Sequence, residues 1–214
     1  MNNKLSTRLA FLLLGIVLIS LGNSLSILSL AGNGLWTAAA VQLSLVTHSS
    51  IKIILIIIGL IALLANSLLT KFNWLQSCGE LVFVFFFGNL VNLFIHLFHP
   101  VTTLTNTMFS KTLLAILGII IVCLGTSIYQ RVNLWMYPTD HLTALLYHHF
   151  FKSNFEKAQI ITFLIPICII LITSYQLKSL QGIQIGTLFS LIMNGKIIKI
   201  SNQYLFPFLK FNID

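Results

Sequence analysis

Residues 14–24 read LGIVLISLGNS and residues 117–127 read LGIIIVCLGTS, so one apolar stretch returns 103 positions later with six of eleven residues unchanged. Apolar helices share Ile and Leu cheaply, and the weight of the match rests on Gly15/Gly118, Gly22/Gly125 and Ser24/Ser127. Working outward, the offset sets Leu35-Trp36-Thr37 against Pro138-Thr139-Asp140. After a four-residue insertion, Gly79 and Gly88 meet Gly186 and Gly195 at an offset of 107. Self-similarity at a fixed spacing marks a chain assembled from copies of one unit. Here two units, residues 8–100 and 111–207, make up a single membrane domain over 1–214.

The chain is 57% hydrophobic and only 7% charged over 214 residues. A soluble domain carries roughly 25% charged residues to cover its outside, so the surplus apolar surface here faces lipid. A helix needs about 20 mostly apolar residues to cross the hydrocarbon core. Six segments qualify: 9–30, 53–69, 81–98, 113–129, 160–177 and 183–206, the last interrupted by Lys196 and Lys199. Segments 36–48 and 138–150 rise only about 20 Å as helices and are expected to enter the bundle or lie at its interface without crossing. Each unit thus reads span, short segment, span, span. Three crossings per unit is an odd number, so the second unit inserts upside down. The expected fold is an all-α membrane protein of about six transmembrane helices in two inverted three-span repeats, each with a short re-entrant or interfacial helix.

The net charge of +8 does not point to nucleic acid, because the basic residues are scattered singly beside apolar runs. That pattern orients spans. With six spans, Lys4, Arg8, Lys71, Arg131, Lys152, Lys157 and Lys210 fall on the cytoplasmic side, and Lys52, Lys111 and Lys178 on the other. Both termini are then cytoplasmic, in a bacterial cytoplasmic membrane. An eight-span count scores equally, and segment length favours six. Lys4 and Arg8 before a Leu-rich run could open a signal peptide, but a retained first span is the better reading. Cys78, Cys123 and Cys168 form no CxxC pair and read as small apolar residues.

These residues resemble the bacterial YczE/YitT-type integral membrane proteins. The likeness rests on Arg8-Leu9, Gly15, Leu21-Gly22, Gly32-Asn33-Gly34-Leu35-Trp36, Gly79 and Gly88 in the first half, and on Pro138-Thr139-Asp140, Gly186-Thr187-Leu188 and Gly195 in the second. It implies the fold and a membrane location. Where that family reads Pro-Trp-Asp this chain has Leu-Trp-Thr, and Asn92 stands where the resemblance leads one to expect an aspartate after Gly88. Asp140 is the aspartate that the chain retains.

Asn89, Asn92, His96 and His99 share one helical face, and the repeat sets Lys196, Lys199 and Gln203 opposite the first three. Polar side chains inside a bilayer are costly and usually face the bundle interior or a wet cavity. The candidate solute pathway is therefore Asn89, Asn92, His96, Asp140, Lys196, Lys199 and Gln203. The alternative is hydrogen bonding that only holds helices together. His141, His148 and His149 lie beside Asp140, without the tight ligand spacing of a metal site. Gly15, Gly22, Gly118 and Gly125 suit close helix packing, and Glu80 suits a helix N-terminus. No nucleophile elbow, phosphate loop or paired carboxylates appear, so neither an enzyme nor a cofactor is expected. The expected function is a small-solute transporter or permease-like protein for a polar or anionic solute. The alternative is a non-transporting accessory protein that supports a partner enzyme or complex; a membrane protein partner or homo-oligomer fits either.

Overall fold

The computed structural model describes residues 3–70, 73–104, 106–151, 155–178 and 183–210. Lys71, Lys152 and the side chains of His148 and His149 lie outside what it describes. Among the described residues there are nine helices and no strand. They are α1 (Leu5–Ser29), α2 (Leu35–Thr47), α3 (Ile51–Leu69), α4 (Trp74–Phe98), α5 (Val101–Leu104), α6 (Met108–Val132), α7 (Pro138–Phe150), α8 (Phe155–Leu177) and α9 (Ile185–Tyr204). Five of these, α1, α3, α4, α6 and α8, are long and apolar enough to cross a membrane. The chain is a multi-pass membrane protein.

Local chemistry sets the boundaries. Thr107 and Ser110 form a reciprocal capping box at the start of α6, and Pro138 opens α7 where its missing N–H costs nothing. α1 and α6 both stop at a left-handed residue, Leu30 and Asn133, which are again 103 positions apart. Arg8 then donates to the carbonyls of Val132 and Asn133 at 2.9 and 2.6 Å, satisfying groups that the last turn of α6 leaves open.

α1 packs most extensively on α6, through the four glycines. A Cβ on Gly22 would lie 2.5 Å from the Gly118 carbonyl oxygen, and one on Gly118 would lie 2.6 Å from that of Gly22. Gly15 and Gly125 face each other in the same way at 3.2 and 2.9 Å. An early residue of α1 meets a late residue of α6, so the two helices are antiparallel. α4 flanks α1 and α9 flanks α6. Cys123 meets Asn194 and Ser127 meets Asn202, so α6 and α9 run parallel. The short helices exchange units: α2 packs on α8, and α7 on α3. Ile16, Ile19, Phe83, Phe87, Tyr129 and Tyr137 form the main core, while Leu13, Ile57, Leu64, Phe86, Leu164 and Ile172 point outward as a lipid-facing surface would require.

Candidate functional site

The first turns of α2 and α7 both enter the bundle and meet the crossing of α1 and α6. They line a cavity of about 100 Å³ together with residues of the long helices. On one side Thr37 donates to Oδ1 of Asn23, and both are buried. On the other the Tyr129 hydroxyl donates to Oδ2 of Asp140. The repeat offset maps Thr37 onto Asp140 and Asn23 onto Thr126, whose hydroxyl lies 3.4 Å from that of Tyr129. The positions that pair directly in the first unit, Thr37 and Asn23, are thus Asp140 and Thr126 in the second, where the Tyr129 hydroxyl lies beside both. Phe83 stacks edge-on against Tyr129 at 5.3 Å, and Tyr137 donates to the Leu55 carbonyl at 2.7 Å, fixing the turn that presents Asp140.

Chemically this is a small, mostly apolar chamber into which a few polar groups are set. Trp36, Phe87 and Phe163 supply the walls; among the described lining residues Asp140 is the one carboxylate, and there is no Lys or Arg. Two helix N-termini point into it. Their partial positive charge offsets the cost of holding a carboxylate away from bulk water.

Of the seven residues expected to form a pathway, the structure brings Asp140 to the cavity. Asn89, His96, Lys196, Lys199 and Gln203 are exposed on the outer surface, and Asn92 is half-buried. Asn89 bonds its own helix, donating to the Phe85 carbonyl at 2.8 Å. In α9 it is Asn194 and Ile198, one face round from the lysines, that reach the cavity. Tyr129 and Asn23 were not singled out from the sequence, although the alignment of Thr37 with Asp140 was the signal that leads to both. Glu80 does not begin a helix: α4 starts at Trp74, and Glu80 lies buried two turns in, with His141 Nδ1 at 2.6 Å from its Oε1. Among the described residues no group of three or more His, Cys, Asp or Glu could hold a metal ion.

Over residues 6–203 the chain matches, and so belongs to, the Family of unknown function (DUF6198). It is similar to the uncharacterized protein YyaS of Bacillus subtilis (strain 168), with 25% identity over 187 residues, covering 87% of this chain and 88% of that protein. No solved structure matches. These matches do not bear on the YczE/YitT label in particular.

Proposed function

We propose that this DUF6198 chain is a small-solute transporter or permease-like protein, built of six spans in two inverted halves (8–100 and 111–207) with both termini cytoplasmic. The observation that carries the reading is the convergence of two short helices, one from each unit, on a cavity that holds Asn23, Thr37 and Asp140 at the crossing of α1 and α6. Broken or short helices whose ends meet at depth are how secondary transporters build their sites. The antiparallel α1 and α6 support inversion, because units related by an axis in the membrane plane run their equivalent helices in opposite directions. α9, with 20 residues, rises about 30 Å and serves as the sixth span alongside α6. On this reading the protein is not an enzyme. The YczE/YitT likeness fits the same architecture through its glycine motifs and Asp140.

A carboxylate and aromatic walls, with no lysine or arginine among the described lining residues, favour a neutral or positively charged polar solute over an anion. The test is transport by purified protein in liposomes, over a panel of small polar, cationic and anionic solutes. Uptake of one class that disappears in Asp140→Asn, with insertion intact, supports the proposal. A panel without uptake in protein shown to be folded and inserted would sink it.

One observation favours the accessory reading. Asn89 and His96 on α4, and Lys196, Lys199 and Gln203 on α9, present polar groups on outer faces between lipid-facing apolar residues. Such groups are costly against hydrocarbon and suit a membrane protein partner or a second copy.

A further inference from the structure

We propose that a second pocket, enclosed by the end of α3, the start of α4 and the first two turns of α7, binds a small monovalent cation. Its volume is about 240 Å³, and its wall includes Asn66, Ser67, Thr70, Gln76, Glu80 and His141. What fits it follows from where its hydrogen bonds go. The Ser67 hydroxyl donates to the Leu63 carbonyl and the Thr70 hydroxyl to the Asn66 carbonyl, each at 2.9 Å. The Asn66 amide N–H donates to the Pro138 carbonyl at 2.9 Å and approaches His141 Nδ1 at 3.4 Å. Gln76 Nε2 donates to Glu80 Oε1 at 3.1 Å, and His141 Nδ1 reaches the same oxygen at 2.6 Å.

The Ser67 and Thr70 hydroxyl hydrogens are committed to carbonyls of α3, so these two oxygens meet the pocket as acceptors, and both bonds to Glu80 go to Oε1, which leaves Oε2 for a ligand. Glu80 is only 2% exposed. A carboxylate held out of water calls for positive charge or donated hydrogens. Oxygen ligands without thiols select hard cations over transition metals. An alkali metal ion and an ammonium group share this chemistry.

The pocket is separate from the central cavity. Asp140 faces one and His141 the other, on either side of the same turn of α7. The binding proposal therefore stands whether or not the protein transports a solute.

The experiment is thermal unfolding of the full chain in detergent, in chloride salts of lithium, sodium, potassium, ammonium or methylammonium, with N-methyl-D-glucamine holding ionic strength constant. A saturable rise in midpoint with at least one small cation is expected, and Glu80→Gln should weaken its apparent affinity about tenfold or more. Lys199→Gln, on the outer surface, should leave it unchanged. A response confined to ammonium and methylammonium identifies an N–H donor as the ligand, and a response to the alkali ions a bare metal ion. Should Glu80→Gln fail to fold, Thr70→Val removes one acceptor at the rim and should weaken binding in the same direction. Identical midpoints in every salt, or a wild-type response in both folded variants, would overturn the site.

Discussion

A Cβ on Gly22 would sit 2.5 Å from one backbone atom of α6 and 2.7 Å from another, the Gly118 oxygen and the Val122 nitrogen. Backbone cannot rotate aside as a side chain can, so Gly22→Ala forces α1 and α6 apart. We expect a loss of about 1–3 kcal/mol, read as a lower thermal midpoint in detergent. Gly34→Ala is the control. Its added Cβ would meet only the Ser190 hydroxyl at 3.8 Å, and its backbone angle is one that any residue adopts, so stability should hold. Function separates other residues. Asp140→Asn keeps an acceptor for the Tyr129 hydroxyl but removes the charge, so the expected outcome is normal insertion with solute uptake cut at least about tenfold, or by 1.4 kcal/mol. Lys199→Gln should leave uptake unchanged, because the lysine lies on the outer surface of α9. Uptake lost in Lys199→Gln and kept in Asp140→Asn would reverse this assignment and restore an anion path along α9.

The short helices were legible in the sequence because length alone argues against crossing: 13 residues cannot span what 25 can. Their glycine and proline punctuation also survives in the structure. Gly32, at φ +108, lets the chain double back after α1, and Pro138 opens α7. Other features depend on tertiary contact, which no local pattern carries. Leu30 adopts a left-handed conformation that its side chain disfavours, while the equivalent Asn133 is a residue that tolerates it. Likewise the helical spacing of Asn89, Asn92 and His96 was plain, but spacing tells which residues share a face and not where that face points. The Glu80–His141 pair joins α4 to α7 across 61 positions of sequence, beyond any motif. A prediction belongs to the connection between α1 and α2. Gly32→Ala would strain the left-handed backbone and push a Cβ to 2.7 Å from the Thr187 nitrogen, next to the bond from the Gly186 N–H to the Ala31 carbonyl. Faster amide hydrogen exchange at Gly186 and Thr187 is the expected result. Unchanged protection there would show that the start of α9 does not depend on this turn.

For the whole molecule, the orientation of the two units decides between a symmetric transporter-like bundle and a tandem array. The six-residue identity between 14–24 and 117–127 is compatible with either, since a repeat in sequence does not say which way up its second copy lies. The count of crossings between the copies does. Three crossings separate the start of α1 from the start of α6 if α2 turns back, and four if it crosses. In the structure α2 is short, and reciprocal glycine contacts run α1 and α6 antiparallel. Arg8, near the start of α1, bonds the carbonyls at the end of α6. The proposed inverted topology puts Lys4 and Asn133 on one side of the bilayer and Lys111 on the other. Single cysteines at these three positions, in a background with Cys78, Cys123 and Cys168 replaced, should divide accordingly when an impermeant maleimide is added to intact cells. Lys111→Cys should label from outside, and Lys4→Cys and Asn133→Cys only after the membrane is opened. Labelling of Lys4→Cys and Lys111→Cys from the same side would mean that α2 crosses and the units lie parallel. The cavity where α2 and α7 meet would then lose its basis as a site reached alternately from the two sides of the membrane.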